Sequence, residues 1–123
     1  MTKSDKKGKN IEILKDIVVI FFIFVICLSN IFGSTYSNLD EIWNFNFARN
    51  VSNGLVPYKD FNMVPTPLLS LICGGFFKIF GQELIVMRSL AVVFLTSIFF
   101  IVYKILKKVT NDEIALLGLM AFL

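Results

Sequence analysis

The sequence predicts an all-α membrane protein, the N-terminal part of a polytopic helical bundle with an external loop that carries juxtamembrane amphipathic helices. Three observations predict it. Of 123 residues 56% are hydrophobic and 14 are Phe, with a mean hydropathy of +0.76, whereas soluble domains run at about 45–50% apolar. Two segments, Ile17–Leu28 and Leu90–Val102, are apolar all round apart from Thr96 and Ser97, so neither offers the polar face of a helix that meets water. Lysines flank both: Lys3, Lys6, Lys7 and Lys9 precede the first, and Lys104, Lys107 and Lys108 follow the second.

Residues 1–10 read as a basic cytoplasmic tail. The first span is residues 11–32. A hydrocarbon layer about 30 Å thick needs about 20 helical residues, so the run from Ile17 extends back to Ile11, with Glu12, Lys15 and Asp16 in the headgroup layer. A cleaved signal peptide is the competing reading, because a basic stretch precedes an apolar one. The lack of a small-residue cleavage site, and Asp16 within the basic flank, weigh against it.

Residues 84–103 form the second span. Positive charge is retained on the cytoplasmic side, so the two lysine clusters share that side and two crossings separate them. Residues 67–80 therefore do not cross. They are also short for a span and carry the helix-weakening pair Gly74-Gly75, which suits an interfacial or re-entrant helix. Residues 104–113 return as a cytoplasmic loop. Residues 114–123 begin a third span of only about 15 Å, which points to the N-terminal piece of a longer, multi-pass cell-membrane protein with its N-terminus in the cytoplasm.

The external loop then covers residues 33–83. Its first helix is expected at about 38–53, with Asn38 as N-cap and Glu41 at the third helical position in an approximate capping box. Trp43, Phe47 and Val51 recur every four residues with Ala48 beside them, while Asn46, Arg49, Asn50 and Asn53 take the other face. That pattern is an amphipathic helix lying on the membrane, with Trp43 at headgroup level. Asn53-Gly54 closes it, and Pro57 holds Val56 extended.

Two readings stand for Asp40 and Glu41. As first-turn carboxylates they gain about 0.3–1 kcal/mol each from the helix dipole. Their depth suggests more, since Asp40 follows the end of the first span by eight residues, where lipid phosphates lie. Cations follow at Arg49, Lys59 and Arg88. A carboxylate base beside cations that hold a phosphate can move a group off a lipid phosphate. Asp60 fits a turn or a site. Arg88, one turn inside the second span, is either functional or snorkels to the headgroups. Arg49 and Lys59 are solvated charges or contacts to donor phosphate. Asn50-Val-Ser52 matches a glycosylation acceptor.

Several classes are excluded by what the chain lacks. Cys27 and Cys73 are too few and too far apart for a disulfide framework. The net charge of +3 comes from lysines beside the spans and indicates topology and anionic membrane lipid, not nucleic acid. No Gly-rich phosphate loop is present, so a cytoplasmic nucleotide sugar has no binding motif here.

The ordered pattern Asp40-Glu41, Ala48, Gly54, Pro57-Tyr58-x-Asp60-Phe61, Pro65-x-Pro67, Phe80-Gly81 and Arg88 resembles the first external loop of GT-C glycosyltransferases. It is most similar to bacterial relatives of protein O-mannosyltransferases and of the lipid A aminoarabinose transferase. The resemblance covers residues 11 to about 105, the beginning of enzymes with about a dozen spans. It implies inverting transfer of a sugar from a polyprenyl-phosphate donor to an acceptor on the outer face. Asp40 maps onto the candidate base of that family, and Glu41 supports it or serves the helix. Several members bind a divalent metal through residues further along the chain; this sequence has no His, so a metal would rest mainly on residues outside it. The alternative is a non-enzymatic membrane protein or inactive remnant whose external helix binds a partner or lipid.

Overall fold

The computed structural model describes residues 3–33 and 39–122. Five helices run through them: α1 Lys3–Gly33, α2 Leu39–Ser52, α3 Leu68–Phe80, α4 Leu84–Val109 and α5 Asp112–Phe122. No strand forms among the described residues; one isolated bridge pairs Pro57 with Phe61. The expected N-cap Asn38 lies outside them. The chain divides into two compact units, one of α1, α4 from Val92 and α5, the other running from Phe32 to Ala91.

In the first unit, Ile23, Cys27, Val92, Tyr103, Ala115 and Leu119 form the buried core. One end is closed by ion pairs. Lys104 Nζ meets Asp16 Oδ2 at 2.7 Å, and Lys15 Nζ meets Asp112 Oδ2 at 3.0 Å. Lys107 lies among three carboxylates, 3.4 Å from Glu12, 3.5 Å from Asp112 and 3.6 Å from Asp16 Oδ1. Asp16 Oδ1 is buried without a hydrogen bond, so at 3.6 Å its compensation from Lys107 is Coulombic. These contacts bring Glu12, Lys15 and Asp16 of α1 together with Lys104, Lys107 and Asp112 at one end of this unit.

Both long helices overrun their expected limits. Helix α1 begins inside the stretch read as a tail, and α4 continues past Tyr103 to Val109, because lysine is a good helix former and does not stop a helix. The stop comes at Thr110-Asn111, where the Asn111 side chain accepts the Ile114 N–H at 2.9 Å and caps α5. With 26 residues, α4 is long and apolar enough to cross a bilayer. Helix α1 is uncharged from Ile17 to Gly33.

The second unit is built on α2 and α3. Ala48, Cys73 and Phe77 are its buried centre, with Phe45, Val86, Met87 and Leu90 packed against them. Gly74 is where the two helices come closest: a Cβ there would stand 2.7 Å from Val51 Cγ1 and 3.0 Å from the Ala48 carbonyl oxygen. Only a residue without a side chain permits that approach. Two residues of the expected apolar stripe, Ala48 and Val51, lie on this line of contact. The packed stripe runs through Phe45, Ala48 and Val51, whereas Trp43 is 54% exposed. With aromatics at 43, 45 and 47 the helix is apolar around much of its girth, and the small residues Ala48 and Gly74 choose which part packs. Phe45 lies 5.4 Å from Phe77, and Phe47 stacks instead on Phe61 at 5.9 Å. Gly54 (φ 90°) follows α2, and Gly81 (φ 97°) ends α3 by donating its N–H to the Phe77 carbonyl at 3.0 Å.

Candidate functional site

Asp40 and Glu41 occupy the first turn of α2. Successive helical residues point about 100° apart, so the two carboxylates serve different faces. Glu41 shares its stripe with Phe45 and Ala48, which are packed, and Asp40 shares its stripe with Trp43 and Phe47.

The packed stripe carries Glu41 to the start of α4. There Arg88 Nε donates to Glu41 Oε1 at 2.7 Å and Arg88 Nη2 to Glu41 Oε2 at 2.9 Å. The side chains are 9% and 22% exposed, respectively, so the pair is largely out of water. Planar, two-point contact of this kind suits guanidinium and carboxylate and is among the stronger hydrogen-bonding arrangements. The Arg88 hydrogen bonds hold the Glu41 carboxyl below its ordinary value of 4.5, against the opposing effect of burial. Glu41 is thereby kept ionised beside Arg88.

The other expected site residues are placed elsewhere. Arg49 is eight residues along α2, about 12 Å of helix axis from Glu41, and its Nε donates to Gln82 Oε1 at 3.1 Å. The Gln82 amide in turn donates to Ser52 Oγ at 2.9 Å and Asn53 Oδ1 at 2.6 Å. That network fastens the end of α2 to the α3–α4 connection. Asp60 closes its own turn: Oδ2 accepts the Val56 N–H at 2.8 Å, and its N–H donates to the Val56 carbonyl at 2.9 Å. Lys59 is exposed on the same turn. Of the expected set, therefore, Glu41 and Arg88 come together with Asp40 adjacent in the chain, while Arg49 and Asp60 hold local structure.

Gln82 escaped the sequence reading, although a lone amide between two apolar helices is a signal that a polar contact is made there. The Glu41–Arg88 pairing also had a signal. A cation just inside an apolar helix needs a partner, and Glu41 is a carboxylate of the preceding loop.

The turn after α2 walls a groove of about 530 Å³ whose lining includes Trp43, Asn46, Phe47, Tyr58, Asn62 and Met63. Tyr58 adopts φ 65°, unusual for any residue but glycine and rarer still for a bulky one. It is pinned at both ends, the hydroxyl donating to the Pro65 carbonyl at 2.8 Å and the N–H to the Phe61 carbonyl at 3.0 Å. Among the described residues no group of three or more His, Cys, Asp or Glu side chains gathers to hold a metal.

Comparison with known proteins finds no matching family model, no matching curated protein and no matching solved structure.

Proposed function

We propose that this chain is the N-terminal part of a membrane glycosyltransferase of the GT-C type, transferring a sugar from a polyprenyl-phosphate donor to an acceptor on the outer face. Residues 11–32 and 84–103 are its first two spans, α5 begins a third, and α2 and α3 lie in the external loop at the lipid surface. The N-terminus and the 104–113 loop are cytoplasmic. The observation that carries this reading is the Glu41–Arg88 pair, which fixes the turn bearing Asp40 to the head of a membrane-length helix.

In this reading Asp40 is the general base. It takes the acceptor hydroxyl proton as that oxygen attacks the anomeric carbon from the face opposite the phosphate. The bond from anomeric carbon to phosphate oxygen breaks, its electron pair leaves with the polyprenyl phosphate, and the configuration inverts. Glu41 and Arg88 are positioning residues. Because the charge of Arg88 is balanced by Glu41 and Arg49 is held at the far end of α2 by Gln82, stabilising the leaving phosphate falls to Lys59 and the rest of the enzyme. The exposed Trp43, Leu68 and Ile79 side chains favour a second reading, in which the loop docks lipid or a partner protein without chemistry.

The test is Asp40→Asn in the protein that carries this segment, scored by sugar transfer from the lipid donor and by membrane abundance. Loss of a general base lowers turnover about 10²–10⁴-fold, whereas the dipole contribution lost is only about 0.3–1 kcal/mol. Normal abundance with activity within about threefold of the parent, far short of a base's contribution, would remove Asp40 from the chemistry.

A further inference from the structure

We propose that the groove between α2 and the turn at residues 57–64 binds a neutral saccharide ring and, given the transferase reading above, that this ring belongs to the acceptor. The lining combines two exposed aromatic side chains, Trp43 and Tyr58, with two exposed amides, Asn46 and Asn62. Neither amide makes a hydrogen bond among the described residues. A pyranose has a face of polarised C–H bonds and a rim of hydroxyls. Aromatic rings present a negative face that accepts such C–H bonds. A carboxamide offers donor and acceptor side by side, which matches neighbouring hydroxyls that each donate and accept.

The remaining geometry sharpens the choice. Among the described residues no charged side chain lines the groove, so none of them compensates a phosphate or carboxylate there, and a neutral ligand is selected. Its volume of about 530 Å³ falls in the range of about 300–1,000 Å³ for small-molecule sites. The donor proton of the Tyr58 hydroxyl is spent on the Pro65 carbonyl, which leaves the ring face and an oxygen acceptor. A non-glycine residue held in the left-handed region by a surrounding network is the kind of strain found at ligand sites. Phe47, stacked on Phe61, forms a rigid floor. Asp40 does not line the groove, but it lies on the same stripe of α2 as Trp43 and Phe47, about one helical turn from Trp43, which in the transferase reading sets the base beside the bound ring.

Trp43 is the single tryptophan of the chain and reports on the groove directly. The 123-residue chain, reconstituted in phosphatidylcholine nanodiscs, is titrated with the methyl glycosides of glucose, mannose, galactose and N-acetylglucosamine, with glucose 6-phosphate as the charged comparison. At least one neutral glycoside should change Trp43 emission saturably. Asn46→Leu and Asn62→Leu should each weaken that binding about fivefold, the equivalent of one hydrogen bond. Lys78→Gln, on α3, should leave it unaltered. Both asparagines are exposed, so the substitutions spare the core, and circular dichroism verifies it.

Absence of a saturable response to every neutral glycoside, or equal binding of glucose 6-phosphate, overturns the proposal. So does quenching of Trp43 by brominated acyl chains that a saturating glycoside does not relieve, since the groove would then be filled by lipid. The two readings fail separately. If Asp40→Asn retains parental transfer while glycosides still bind, the base assignment falls and the saccharide groove stands. If transfer depends on Asp40 but Asn46→Leu and Asn62→Leu leave the acceptor KM unchanged, the acceptor groove falls and the base stands.

Discussion

The Arg88 guanidinium grips the Glu41 carboxylate through two parallel hydrogen bonds of 2.7 and 2.9 Å, although 47 residues separate them in sequence. Each solves a problem for the other. A guanidinium beside Val86, Met87 and Leu90 is costly without a counter-charge, and a carboxylate one residue from Asp40 needs a fixed direction if its neighbour is to keep one. The pair joins the first turn of α2, which also carries Asp40, to the early turns of α4.

Removing one partner strands the other. Glu41→Gln and Arg88→Gln should each cost about 3–5 kcal/mol, with Glu41 toward the lower figure because its edge meets solvent. The double variant should cost less than the sum, with a coupling of about 1–3 kcal/mol. Arg88→Lys should not restore stability, since an ammonium cannot reproduce the planar fork. Unfolding in micelles followed by circular dichroism measures all four; additive costs would mean that the two residues act independently.

Acid should loosen the same joint. The folded-state value of Glu41 lies below the ordinary 4.5, so its contribution is fully present above that ordinary value and is lost as pH falls through the depressed folded one. Trp43, two residues away, should show a fluorescence change in that acidic window in the parent protein. In Glu41→Gln that transition should vanish, and its persistence would assign it to another carboxylate.

Gly74 and Gly75 should respond oppositely to alanine. At Gly74 the new methyl would meet Val51 Cγ1 at 2.7 Å and the Ala48 carbonyl at 3.0 Å, an overpacking that costs about 1–3 kcal/mol. At Gly75 nothing lies within 4 Å, so alanine should gain up to about 1 kcal/mol of helix propensity. Thermal unfolding of the two variants decides it, and similar shifts for both would show that α2 and α3 are not in close contact.

Topology can be read by labelling. In a Cys-free background, a cysteine at Asn62 should react with a membrane-impermeant thiol reagent added outside cells, and one at Lys108 should not. Both positions are exposed on the protein, so protection at Lys108 reports the membrane. Labelling at Lys108 from outside would mean that residues 67–80 cross after all.

The helices between α1 and α4, and their limits, were legible because the signals are local. Asn53-Gly54 marks the end of α2, and the bounds Leu39–Ser52 and Leu68–Phe80 fall within a residue of the expected 38–53 and 67–80. The ion pairs of Lys104 and Lys107 with Glu12 and Asp16 were not legible, since the lysine distribution speaks of sides and not of partners. The limits of α1 and α4 were less legible, since lysine marks a membrane edge without ending a helix.

Composition and order alone determined that the chain is helical and apolar, that an acidic pair opens α2, and that a lone arginine enters α4. Tertiary structure decided their partners. Periodicity could not choose among three aromatics on α2, because which stripe packs depends on the small residues Ala48 and Gly74 meeting across two helices. It could not join Glu41 to Arg88 or Arg49 to Gln82, since those contacts span 47 and 33 residues. Nor could it place Trp43 and Tyr58 around one groove, because a turn at φ 65° is held by hydrogen bonds that exist only once the chain has folded back on α2. Local propensity acts within a few residues of chain, whereas these choices rest on close approach, counter-charge and shape between segments that meet only in the fold.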